Sequence, residues 1–184
     1  MPEDGSPRQG DLPLFSRGVR GPFRKNSSRP LRGGGEVNVE EVLEEIGRIA
    51  SELGRDDVLA VGLFGSLARG DFDERSDIDI FVITKDELTI EEQDELYRIF
   101  SRLIPRFKRD ITLLVYDLDG LKRVPTWQTL NMLRDARFAF DRGGIEELFK
   151  AILRRAEESG IVYDEEEGVF KLVDPSRGVF EFEG

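Results

Sequence analysis

The chain has 184 residues, 35% of them charged and 39% hydrophobic, with a formal net charge of −11. This is enough chain to bury one core, and its composition is that of a soluble globular protein. With no Cys and no His, disulfides, thiolate or imidazole zinc sites, Ser-His-Asp triads and Cys-His nucleophiles are all excluded. The remaining chemistry must run on carboxylates, hydroxyls, cations and the backbone.

Residues 1–35 carry seven Lys/Arg against three Asp/Glu, which leaves −15 on the rest. This arm, rich in Pro, Gly, Ser and Arg and without apolar period, is expected to be a disordered basic arm. The acidic remainder disfavours a long nucleic acid as substrate, because phosphates need a basic track. No apolar run approaches the roughly 18 residues of a membrane span and the N-terminus has no signal-peptide core, so a cytoplasmic location is expected.

Order is predicted from Val37. Val39, Val42, Leu43, Ile46, Ile49, Ala50 and Leu53 recur on one helical face, with Asn38 as N-cap and Gly54 as terminator. "VLAVGLF" (58–64) suits a buried strand. Thr89 with Glu92 forms a capping-box signature ahead of Leu96, Ile99, Phe100, Leu103 and Ile104, and Pro105 marks the end of that helix or a kink in it. "DITLLVY" (110–116) alternates as a strand. "TWQTLNML" reads as a short helix with Trp127 and Leu130 in the core, and "RFAF" as an added strand. Ile145, Leu148, Phe149, Ile152 and Ala156 define a further amphipathic helix. Three short apolar runs, "IVY", "VFKLV" and "VFEF", suggest a terminal β-meander. The order of elements describes an α+β unit with a mixed sheet. Its expected divisions are an arm (1–35), a central domain (36–143) and a helix-plus-meander extension (144–184).

"GLFGSLARGDFDERSDIDIFV" (62–82) carries the chemistry. Strand alternation puts Asp77 and Asp79 on one face and Ile78 and Ile80 on the other. Asp110 begins a second strand whose Ile111, Leu113 and Val115 would fill the core, leaving Asp110 on the opposite face. If the two strands are neighbours, three carboxylates converge, since paired strands lie about 4.8 Å apart. Such charges repel by up to about 4 kcal/mol per pair at 4 Å and an effective dielectric near 20. Bound Mg²⁺ reverses that sign, and substrate phosphates complete its shell. The Gly65-Ser66 turn fits the same chemistry: a strand leading into a short helix offers free N–H groups, glycine permits close approach and serine adds a donor.

Rival motifs fail on their letters. "GSLARGD" has P-loop glycines but Asp71 where Lys is required. "DFDERSDIDIFV" begins like an EF-hand, yet Arg75, Ser76 and Val82 replace two ligands and the turn glycine. Asp71, Asp73 and Glu74 are expected to be solvated loop acids.

Gly65-Ser66, then Ala68-Arg69-Gly70, Asp77-x-Asp79 and a later strand acid Asp110 resemble the nucleotidyltransferases of the DNA polymerase β superfamily. The compact form is most similar to the minimal nucleotidyltransferases of prokaryotes, which include antitoxins partnering HEPN-domain toxins. The resemblance spans Val37 to Tyr116 and extends more loosely to Asp141. It implies the nucleotidyltransferase fold, a small mixed sheet with helices packed on one face. It also implies that Asp77 and Asp79 hold two Mg²⁺ ions, and that Asp110 ligates the catalytic ion and helps deprotonate the acceptor hydroxyl. Gly65 and Ser66 would bind the β and γ phosphates, and Arg69 would either lie near the triphosphate or make a surface salt bridge. The implied activity is transfer of a nucleoside monophosphate, AMP from ATP being expected, to a hydroxyl with release of pyrophosphate. A HEPN-domain protein is the implied acceptor. A small-molecule acceptor such as an antibiotic, or a non-catalytic nucleotide-binding interaction protein, are the alternatives.

Overall fold

The computed structural model describes residues 37–123 and 126–173. The basic arm and the "VFEF" run of the expected meander lie outside the described residues. Helix α1 (Val39–Glu52) starts at Asn38, whose side chain accepts from the Glu40 N–H at 3.0 Å. Leu53 caps its end, and Gly54 follows at φ +63°. Strand β1 (Val58–Phe64) runs directly into the one-turn helix α2 (Gly65–Arg69). After a loop comes β2 (Ile78–Thr84). Helix α3 (Ile90–Phe100) opens with the expected capping box: Glu92 N–H donates to the Thr89 hydroxyl and Thr89 N–H to the Glu92 carboxylate.

The break expected at Pro105 comes earlier. α3 ends at Phe100, and Pro105 lies inside a separate short helix, α4 (Leu103–Phe107). Proline is tolerated in a first helical turn, where its missing N–H has no partner to lose. Lys108 then takes the left-handed conformation (φ 53°) and turns the chain into β3 (Ile111–Asp117). Beyond it follow α5 (Leu118–Lys122), α6 (Trp127–Asp135), β4 (Arg137–Asp141), α7 (Ile145–Glu158) and the antiparallel pair β5 (Ile161–Asp164) and β6 (Val169–Leu172).

The main sheet has the order β3-β2-β1-β4; β2 and β3 are parallel and the other pairings antiparallel. Parallel neighbours require a crossover connection, here the segment holding α3 and α4. Both faces of this sheet are covered. On one, Val42, Ile46 and Ile49 of α1 with Leu96 and Phe100 of α3 bury Val61, Leu63, Ile78, Ile80, Val82 and Ile111. On the other, Leu130 and Leu133 of α6 with Phe149, Ile152 and Ala156 of α7 bury Ala60, Phe64, Phe81, Ile83 and Leu114. The helical layer is therefore doubled relative to the expected one-faced packing. The continuous apolar runs of β1 and β2 are the physical reason, since a strand buried on both sides does not alternate.

The centre of the second face is aromatic. Phe81, Phe138 and Phe149 meet with ring centroids 5.1–5.4 Å apart, so α7 is built into the packing of the sheet. Gly62 makes room for this cluster: a Cβ there would lie 2.6 Å from the Phe81 ring and 2.3 Å from the Arg137 carbonyl oxygen. Trp127 departs from expectation, being 43% exposed while Leu130 is buried. Among the described residues no helix is long and apolar enough to cross a membrane.

Candidate active site

The expected strand neighbourhood is present. Ile78 pairs with Ile111 and Asp79 with Thr112, and the Ile78 N–H donates to the Asp110 carbonyl at 2.8 Å. Asp77 and Asp110 thus sit side by side, one residue ahead of the paired strands. By strand alternation Asp77, Asp79, Asp110 and Thr112 share one face while Ile78, Ile80, Ile111 and Leu113 fill the opposite core. All three acids are partly buried.

The electrostatics register this proximity. Burial first, and the Asp77 charge second, hold the Asp110 carboxyl above its ordinary value. Like charges in a partly desolvated site favour the protonated form. Among the described residues, however, no three acids are drawn together tightly enough to hold a metal ion on their own.

Asp79 reaches across to the Gly65 turn. Phe64, the last residue of β1, pairs with Asp79, and Gly65 follows at φ +72°. A Cβ on Gly65 would stand 2.4 Å from Asp79 Oδ2. Glycine is therefore demanded twice, by the left-handed backbone and by the carboxylate against it. The one-turn helix behind it closes with Gly70 and Asp71 N–H groups donating to the Ser66 carbonyl at 2.9 and 3.2 Å. The donor set around the turn is all oxygen, which fits a hard divalent cation. Asp77 and Asp110, side by side at the head of the paired strands, are like charges that such a cation would screen.

Arg69 is engaged in two ion pairs among the described residues. It pairs with Asp71 (3.1 Å) and with Asp135 of α6 (2.5 Å). Asp135, whose side chain is 3% exposed, also holds Arg134 at 2.6 Å. Asp71, Asp73 and Glu74 are exposed, as expected of loop acids. Asp73 is a turn acceptor: the Arg75 N–H first, then the Ser76 hydroxyl, keep its carboxyl below the usual range.

Three residues near the site escaped the sequence reading. Thr112 was signalled by the same alternation that oriented Asp110. Asp135 and Arg109 carried no local signal, since their partners lie 66 and more than 30 residues away along the chain.

The fold, with acids gathered at the start of the parallel pair formed by the edge strand β3 and its neighbour β2, beside a glycine-serine turn, is that of a nucleotidyltransferase. Residues 44–124 match the family model described as polymerase beta, nucleotidyltransferase. A relative from Methanocaldococcus jannaschii, named "Putative protein adenylyltransferase MJ0141", is 32% identical over 80 residues, covering 44% of this chain and 81% of that protein. The chain belongs to the polymerase β nucleotidyltransferase family, whose chemistry generally uses divalent metal. Two solved structures are also similar. One is a toxin–antitoxin with AMP-PNP, at 20% identity and a TM-score of 0.47 over 66% of this chain and 88% of that one. The other is a tri-AMPylated HEPN toxin of Shewanella oneidensis in complex with MNT antitoxin, at 18% identity and a TM-score of 0.45 over 66% and 87%.

Proposed function

We propose that this protein transfers AMP from ATP to a hydroxyl of a protein partner, in the cytoplasm, with Asp77, Asp79 and Asp110 as the catalytic carboxylates. The observation that carries the reading is the juxtaposition of Asp77 and Asp110 at the head of paired strands, with Asp79 against the Gly65 turn. The choice of AMP and of a protein acceptor is supported by the name of the Methanocaldococcus relative. A HEPN-domain partner is proposed on the sequence resemblance.

Two Mg²⁺ ions, when bound, would screen the phosphates and make the acceptor hydroxyl more acidic. Asp77 and Asp79 would hold both, and Asp110 would ligate one while accepting the acceptor's proton. Gly65 and Ser66 would receive the β and γ phosphates. The acceptor oxygen bonds to the α-phosphorus in line, the bond from that phosphorus to the bridging oxygen breaks, and pyrophosphate leaves. Arg69, already engaged by Asp71 and Asp135, acts in this scheme by holding α2 to α6, at the rim of the nucleotide turn.

The test incubates the protein with Mg²⁺ and each α-labelled NTP, with and without a HEPN-domain partner, and follows pyrophosphate and labelled product. ATP should be the preferred donor, with label on the partner protein. Asp77→Asn and Asp79→Asn should each lower kcat by about 1,000-fold, in line with the several kcal/mol that metal charge contributes. Efficient Mg²⁺-dependent turnover by both variants would overturn the assignment. Label on an aminoglycoside-type small molecule in place of protein would redirect the acceptor alone.

A further inference from the structure

Arg109 is 5% exposed, yet among the described residues its hydrogen bonds go to carbonyls and not to a carboxylate. Its Nη1 donates to the Asp73 carbonyl at 2.6 Å and to the Ser76 carbonyl at 2.7 Å. The guanidinium carbon lies 5.5 Å from the centre of the Phe72 ring, and Nε has no hydrogen-bond partner among the described residues. A buried guanidinium without a counter-ion is unfavourable, and an apolar side chain would fill the same space without that penalty. The head group must therefore do something that packing alone does not.

What it grips is a self-closed turn. The Asp73 N–H donates to the Ser76 hydroxyl oxygen at 3.0 Å, the Arg75 N–H to Asp73 Oδ1 at 2.7 Å, and the Ser76 N–H to the Asp73 carbonyl at 3.3 Å. Asp77 is the next residue. On the other side Arg109 is joined to Asp110, whose carbonyl takes the Ile78 N–H. Arg109 therefore ties the residues preceding one site carboxylate to the residue preceding the other. Consecutive residues at a strand start leave the chain on opposite sides. The guanidinium is thus turned to the loop, where its hydrogen bonds go to the Asp73 and Ser76 carbonyls, and the Asp110 side chain leaves on the other side.

We propose that Arg109 is a positioning residue: by clamping the Asp73 and Ser76 carbonyls it sets Asp77 against Asp110 for a divalent cation, without cancelling the charge that attracts the cation. The inference rests on the nucleotidyl-transfer reading of those acids, and extends it to a residue outside the proposed metal and nucleotide ligands.

The test compares the full-length chain with Arg109→Met and Arg109→Lys in three measurements: amide hydrogen exchange, Mn²⁺ binding without nucleotide followed by electron paramagnetic resonance, and steady-state transfer. In Arg109→Met, exchange over 71–77 should accelerate at least about tenfold while α1 and α3 keep their protection. The Mn²⁺ dissociation constant should rise by about tenfold, the scale on which groups behind metal ligands act. The KM for ATP at saturating metal should stay within about twofold. Arg109→Lys, which keeps a cationic donor, should recover part of both losses, and is the variant judged if the methionine protein does not fold. Unchanged exchange over 71–77 with unchanged Mn²⁺ affinity would overturn the proposal. So would loss of protection throughout the domain, which assigns Arg109 to general stability. Exchange is read without catalysis, so absence of transfer by the parent protein would fault the nucleotidyl-transfer reading while the clamp is still judged.

Discussion

At the scale of single residues, the site depends on a glycine and on an acid kept in an unfavourable environment. Gly65→Ala forces a Cβ into the left-handed region, which costs about 1–2 kcal/mol, and drives it against Asp79 Oδ2. Thermal unfolding should show that loss, and transfer activity should fall much further than the stability loss accounts for if the displaced group, Asp79, is the metal ligand proposed above. Asp110 gives a pH signature. Its folded pKa is raised, so between its unfolded and folded values the native state holds more proton than the unfolded one, and stability declines as pH rises through that window. Ionised Asp110 therefore weakens the metal-free protein above its folded pKa. Asp110→Asn should raise the metal-free Tm at neutral pH, with the gain shrinking as pH falls toward the ordinary aspartate range. A gain that grows on acidification would contradict this account.

At the scale of elements, α2 is too short to stand alone and is held from outside. Its Arg69 pairs with Asp135 at the end of α6, and Asp135 is shared with Arg134, whose guanidinium carbon stacks 3.5 Å from the centre of the Tyr163 ring in β5. Breaking a buried pair typically costs 3–5 kcal/mol. Because Arg69 is itself 38% exposed, Asp135→Asn should cost less, about 2 kcal/mol in urea unfolding, and should lower kcat by loosening the Gly65-Ser66 turn. The α3 cap makes a contrast. Thr89→Ala should cost about 1 kcal/mol and leave metal binding unchanged, since Thr89 lies past the C-terminal end of β2 while the acids stand at its start.

The elements also show where local pattern is sufficient. Asn38, the Thr89–Glu92 box, the strand start at Val58 and, to within one residue, that of β3 were readable because caps and burial periods are set by a few neighbouring residues. Trp127 was misjudged for a related reason: periodicity identifies the inward face of α6 but not how far along the helix the core extends, and this ring opens the first turn. The break before Pro105 fell at Phe100 because Ser101 and Arg102 end α3 with αR geometry and the chain re-enters a helix. A proline placed early in that helix costs no hydrogen bond.

At the scale of the whole molecule, a divalent cation should couple the site to global stability. An ion that binds only the folded form stabilises by about 2.7 kcal/mol at a hundredfold excess over its Kd. Saturating Mg²⁺ should therefore raise the Tm of the parent protein, and Asp77→Asn should abolish most of that rise. A Tm that responds equally in both proteins would place the binding elsewhere. The second helical layer can be probed in the same way: Phe149→Ala removes the ring that joins Phe81 and Phe138 and should cost about 3–5 kcal/mol, although residue 149 follows the segment matched to the family model.

From residue order alone came the exclusion of thiol and imidazole chemistry, the facing of Asp77 and Asp79, the close approach that Gly65 permits ahead of Ser66, and the α+β succession. All of these follow from side-chain chemistry and from periods of two or 3.6 residues, which act within a few positions. Only the folded chain settled that Asp110 lies beside Asp77, that Arg69 turns to Asp135, that Arg109 grips the loop ahead of β2, and that helices cover both faces of the sheet. These depend on which strands pair and in what register. That choice is made by burial summed over contacts tens of residues apart, and no local stretch of the chain contains it.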